Sequence, residues 1–153
     1  MKLVEILKPE AVIPELRATT KADALNELAR TLAAVHSEID AARLVEVLLE
    51  REELGSTAIG EGIAIPHGKL AGVGNVVAAF GRSTGGIDFD SLDGNPTRLF
   101  VLLVAPEDSA GVHLKALARV SRLLKDKGFR ERLFAAGDRD DLWATIQAED
   151  AKY

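Results

Sequence analysis

Leu54-Gly55-Ser56-Thr57-Ala58-Ile59-Gly60-Glu61-Gly62-Ile63-Ala64-Ile65-Pro66-His67-Gly68-Lys69 is too rich in glycine for an ordinary helix and too interrupted for a long strand. Pro66 fixes its own φ, removes a backbone donor and pushes Ile65 into an extended conformation, and Gly68 leaves the next position without a Cβ. His67 is therefore presented with open space after it. Imidazole offers a neutral, nucleophilic nitrogen near neutral pH that can carry a group covalently, and a phosphoryl group is the obvious cargo. Taken alone, the same pattern also fits a turn residue or a surface ring.

Upstream of this stretch the pattern is helical. Thr20 with Asp23 resembles a capping box, and Leu25, Leu28 and Leu32 follow at helical spacing, which predicts a helix from about Lys21 to Ala34. Asp40 caps a second helix with Leu44, Val47 and Leu48 as its core face, Arg51 in its last turn and Gly55 placed to end it. Before Thr20, Pro9 and Pro14 leave room only for a short helical turn and an edge strand around Val12 and Ile13.

Downstream, ten of the thirteen glycines fall between Gly55 and Gly94, and the apolar runs between them are short and rich in Ile and Val. Val76–Phe80 and Leu99–Val104 read as strands, the second so uniformly apolar that both its faces must be covered. Gly85-Gly86 and Asp93-Gly94-Asn95-Pro96 read as turns around a short strand at Ile87–Phe89. The last third is helical, with Leu114, Leu117, Ser121 and Leu124 on one stripe, then Phe129, Leu133 and Phe134. A final helix capped by Asp138 buries Leu142, Trp143 and Ile146. Helices at both ends with strands between them predict an α/β sandwich in one domain over 1–153.

Together with Arg51-Glu52, the central stretch resembles the active-site signature of EIIA domains of the phosphoenolpyruvate-dependent phosphotransferase system, in the fructose/mannitol and nitrogen-regulatory branch. Leu54-Gly55-Ser56-Thr57, Ile59-Gly60, Gly62 and Ile65-Pro66-His67-Gly68-Lys69 carry the first motif, and His113-Leu114 with Leu117, Leu123 and Leu124 the second. Ala58 departs from the pattern, standing where the family often has Gly. The resemblance implies a mixed central β-sheet flanked by helices and a single EIIA-type domain. It also implies that His67 accepts a phosphoryl group from an HPr-like phosphocarrier protein, with neither metal nor cofactor.

Around His67 the other candidates sort by chemistry. His113, at or near the start of the third helix, meets a dipole that disfavours imidazolium and free N–H groups that favour an anion, which suits a group beside a phosphoryl oxygen. A histidine making one local hydrogen bond is its plainer reading. Arg51 either complements its own helix end or reaches the acceptor, where a guanidinium gives fixed donors to a phosphoryl group. Ser56 and Thr57 hydroxyls either complete a phosphate cradle or satisfy a turn. Variants of Arg51 and His113 are expected to stay within about 1 kcal/mol of parental stability, as at partly exposed polar sites. Lys69 reads as a solvated charge and His36 as a surface residue.

Composition narrows the remaining classes. A net charge of −5 argues against nucleic-acid binding, which needs clustered Lys and Arg, and points to a partner with a basic patch. Zero cysteines remove disulfides, thiolate metal sites and a cysteine nucleophile. No apolar run approaches the roughly 18 to 20 residues that span a bilayer and the start has no signal-peptide core, so the expected location is cytoplasmic, without membrane insertion. Gly62 to Gly68-Lys69 misses the phosphate-binding P-loop by one residue of spacing, and Leu70 replaces its Ser or Thr.

The sequence therefore reads as a cytoplasmic phosphocarrier. With no cysteine to match the acceptor of a B domain, His67 either passes its group to a separate EIIB domain of a fructose/mannitol-type transporter or acts on regulatory target proteins through its phosphorylation state. The second is the nitrogen-regulatory pattern. A binding module switched only by charge and a small hydrolase with His67 as base are the alternatives from other classes, and homodimerisation stays open.

Overall fold

In the computed structural model, which describes residues 1–153, a six-stranded mixed sheet runs in the order β1-β5-β6-β3-β2, with β4 also paired to β6. After a 3-10 turn at Leu3–Glu5, β1 (Leu7–Ile13) forms one edge, where Pro9 costs no central ladder bond. Two helices follow, α1 (Lys21–Val35) and α2 (Ala41–Glu53), then three short strands, β2 (Ala58–Gly60), β3 (Ile63–Ala64) and β4 (His67–Lys69). The long strands β5 (Val77–Ile87) and β6 (Thr97–Ala105) precede α3 (Ala110–Leu124), α4 (Lys127–Ala135) and α5 (Arg139–Asp150).

β6 is the centre of this arrangement. Leu99 through Val104 are all buried whichever way they point, because α1 and α2 pack together against β1, β4 and β5, while α3 packs on β6 and α5 on β1. One apolar cluster of 41 buried residues joins both helix groups to the sheet, so the site below rests on a shared core. The side chains of Thr20, Asp40 and Asp138 cap their helices as the sequence predicts, accepting the N–H groups of Asp23, Arg43 and Asp141.

Two predicted features differ. Gly85-Gly86 is no turn between strands: β5 continues through it to Ile87. There β5 advances from Arg82 to Ile87 while β6 moves only from Leu99 to Thr97, a bulge that Gly86 accommodates at φ 78°. The buried stripe of α3 is also displaced. His113, Ala116, Val120 and Leu123 face inward with Leu124, whereas Leu114 is 66% exposed, because small side chains let the helix lie close to β6.

Two buried charges brace the frame. Arg82 on β5 donates to the carbonyls of Leu133, Ala136 and Gly137, which serve as the C-terminal cap of α4, and to Pro14. Asp150, at the end of α5, accepts from the N–H groups of Leu3 and Val4 and from Arg119 at 2.6 Å.

Candidate functional site

The site begins with a break in a ladder. β3 and β4 both run parallel to β6, pairing Ile63 with Leu99 and His67 with Leu103, and the two residues between them, Ile65 and Pro66, leave the strand. Pro66 has no N–H to give, although its carbonyl still accepts from Leu103 at 2.9 Å. The Ile65 carbonyl turns instead to the His67 ring, where it accepts from Nδ1 at 2.7 Å. A carbonyl only accepts, so the ring proton sits on Nδ1 and Nε2 is left with its lone pair.

Gly68 brings α2 against this strand. A Cβ there would lie 2.7 Å from Val47 Cγ1, so any other residue would have to displace the Val47 side chain or α2 itself. That contact places Arg51, in the last turn of α2, beside the ring. Arg51, His67, Lys69 and His113 line an open pocket of about 520 Å³ with Val47 and Leu54 on its apolar side. The one protein acceptor of Arg51 is the Gly55 carbonyl, 3.0 Å from Nη1, which leaves its other donors for a ligand.

His113 faces His67 edge to face, with centroids 5.3 Å apart and planes 89° to each other. It is the fourth residue of α3, near the helix start as the sequence suggests, although its own N–H already bonds the Ser109 carbonyl at 2.9 Å. It is also buried, 7% exposed, and neither ring nitrogen has a protein partner. Such an unpaired polar ring is costly unless something else meets it.

Both rings are held toward the neutral form. Burial lowers the pKa of His67, and the nearby Arg51 charge adds to this; the Ile65 hydrogen bond and Glu52 oppose it. Burial also lowers that of His113, with His67 and Lys69 contributing. A neutral His67 is a nucleophile over a wider pH range, which is what group transfer onto Nε2 requires.

Ser56 and Thr57 do not join the pocket. Ser56 Oγ donates to the Phe89 carbonyl at 2.5 Å and accepts from Ala58 N–H at 3.0 Å. Thr57 is buried, its hydroxyl and its N–H both donating to Glu52. Their bonds are those of the plainer, turn-holding reading, and neither residue lines the pocket beside His67. His36 likewise is no simple surface residue, since its side chain is 13% exposed and Nε2 is enclosed.

Glu52 is the residue that sequence reasoning assigned no role. It is 8% exposed and ion-paired to Lys21 at 2.9 Å. A carboxylate in the last turn of a helix opposes the dipole, and that misplacement was the signal available.

Residues 5–149 match the family model described as the phosphoenolpyruvate-dependent sugar phosphotransferase system, EIIA 2. The chain belongs to that family. Over 146 residues it is 42% identical to a nitrogen regulatory protein of Bradyrhizobium diazoefficiens, covering 95% of each chain. It is 37% identical over 150 residues to the fructose-specific EIIABC component of Bacillus subtilis, spanning 98% of this chain but 24% of that longer one. Among solved structures, the nitrogen regulatory protein IIA-Ntr of Neisseria meningitidis superimposes with a TM-score of 0.86 at 33% identity, over 93% of this chain and 97% of the other. The mixed sheet flanked by helices is therefore an EIIA fold. No helix is long and apolar enough to cross a membrane.

Proposed function

We propose that this EIIA domain is a cytoplasmic phosphocarrier in which His67 Nε2 accepts a phosphoryl group from the phosphohistidine of an HPr-like protein. The observation that carries this reading is the Ile65 carbonyl on Nδ1, which leaves Nε2 as the free nitrogen in a pocket walled by Arg51 and His113. In the transfer the Nε2 lone pair forms a bond to phosphorus as the donor's N–P bond breaks, its electrons returning to the donor ring. The proton on Nδ1 stays where it is. Arg51 and the unpaired His113 ring supply donors to the phosphoryl oxygens, so positioning and charge do the work, without metal or nucleotide.

The nitrogen-regulatory role is favoured over transport by identity: 42% with the Bradyrhizobium regulatory protein against 37% with the fructose component. In this role the phosphorylation state itself is read by target proteins. Passing the group to an EIIB domain is the second reading, supported by the 37% identity to the fructose component.

The test uses phosphoenolpyruvate, the first enzyme of the phosphotransferase system and an HPr-like protein. Together they should label the chain once, in a base-stable and acid-labile form, and His67→Ala should abolish the label. Labelling that survives the substitution overturns the assignment. Rapid loss of the label to a sugar-specific EIIB domain, with no target protein distinguishing the two states, would favour transport.

A further inference from the structure

A relay of one ion pair and successive hydrogen bonds leads from a surface lysine to the His67 ring. Lys21 Nζ meets Glu52 Oε1 at 2.9 Å. Glu52 accepts the Thr57 N–H at 3.1 Å through Oε1 and the Thr57 hydroxyl through Oε2. The Thr57 carbonyl accepts the Ile65 N–H at 3.1 Å, and the Ile65 carbonyl accepts His67 Nδ1–H at 2.7 Å. Each link holds the residue that makes the next. We propose that Glu52 is the positioning residue of His67: held by Lys21, its carboxylate anchors Thr57 and thereby the Ile65 carbonyl that keeps the ring proton on Nδ1 and Nε2 open. The inference rests on His67 as the phosphoryl acceptor.

The placement of Glu52 runs against its local surroundings. It is buried, and it sits at the negative end of α2, where a carboxylate is disfavoured. Both carboxylate oxygens accept from Thr57, whereas a glutamine has one acceptor oxygen and no charge for Lys21, so the carboxylate is what this pair of donors requires. Departures of this kind from local consistency concentrate at functional sites. The His67 ring is faced by Glu50, Arg51 and Glu52 from α2, by Lys69 from its own strand and by His113 from α3, while the β6 residues beside it are apolar. When Nε2 takes the phosphoryl group and Nδ1 keeps its proton, the ring gains positive charge. Glu52 then offsets that charge, while Arg51 and Lys69 face the phosphoryl oxygens. One carboxylate thus sets the tautomer before transfer and stabilises the ring after it.

Glu52→Gln in the full chain tests this. Long-range proton–nitrogen spectra of the unphosphorylated protein, recorded across pH with no donor present, report the His67 tautomer and its titration. The parent should show a single Nδ1–H tautomer. The variant should show a mixture and titrate at lower pH, and with the HPr-like donor its turnover should fall about tenfold or more while the donor KM stays within about twofold. Should Glu52→Gln not fold, Thr57→Val removes one of the two bonds to Glu52 and should shift tautomer and rate in the same direction, with Thr57→Ser restoring both. A folded variant with the parental spectrum, or with the parental rate, overturns the proposal. Failure of the parent itself to accept a phosphoryl group would instead overturn the phosphocarrier reading, because the tautomer spectra need no donor.

Discussion

The His113 ring stands edge-on to the His67 ring, 5.3 Å between centroids, with both of its own nitrogens enclosed and unpaired. On the phosphocarrier proposal, an incoming phosphoryl oxygen would be the partner the ring lacks. His113→Ala should therefore slow transfer at least tenfold, as measured by single-turnover labelling from a phosphorylated donor. Its stability effect should exceed the 1 kcal/mol expected of an exposed site: removing a buried ring leaves a cavity and costs about 1–3 kcal/mol in chemical denaturation. A parental transfer rate would leave His113 a packing residue.

The direction of both histidine shifts sets a pH dependence. Each ring titrates below its ordinary value of 6.5 in the folded chain, so above 6.5 both folded and unfolded forms are neutral there and neither ring contributes. As pH falls below 6.5, the unfolded chain takes up protons that the folded chain resists, and stability declines until the folded rings titrate as well. Urea midpoints should therefore drop between pH 6.5 and 5 in the parent, and by less in a His67→Gln, His113→Gln double variant. Transfer, which needs a neutral His67, should hold its rate to pH values below 6.5.

Gly68 is a contact residue rather than a hinge. Gly68→Ala drives a Cβ to within 2.7 Å of Val47 Cγ1 and forces α2 away from β4, costing about 1–3 kcal/mol. Because Arg51 rides on α2, labelling should slow as well. Val47→Ala on the same background should recover part of both losses, and a Gly68→Ala protein with parental stability would contradict the packing described.

Ser56 supplies a control. Its hydroxyl bonds the Phe89 carbonyl and the Ala58 N–H and lies outside the pocket. Ser56→Ala should cost about 1 kcal/mol of stability and leave the transfer rate within about twofold. A tenfold loss of rate at unchanged stability would restore Ser56 to the phosphate.

What the sequence made legible were features written in local chemistry. The unbroken run Leu99–Val104 announced a strand covered on both faces, and Thr20, Asp40 and Asp138 announced helix starts, because burial and capping need no distant partner to be recognised. Pro66 disclosed the break in the ladder before His67 for the same reason, whereas the open space expected after His67 is filled by Val47 against Gly68. The misses needed tertiary information. Gly85-Gly86 has the composition of a turn, and only its pairing with β6 makes it a bulge. In α3 the larger leucines suggested a core stripe, yet close packing on β6 selected Ala116 and Val120 and left Leu114 outside. Ser56 and Thr57 have hydroxyls suited to phosphate or to turns alike, and the choice was made by Phe89, 33 residues on from Ser56, and by the buried Glu52.

The ladder that joins β4 to β6 has a consequence for how the phosphorylated state would be sensed. His67 rides not on a mobile loop but on a strand paired to the most deeply buried strand of the sheet. A phosphoryl group there adds roughly two negative charges to a rigid support, so its message travels as an electric field and not as a change of shape. At physiological salt that field fades over about 8 Å. A protein that tells the two forms apart must therefore touch the rim of this pocket, and substitutions on the far helices α4 and α5 should leave its discrimination unaltered.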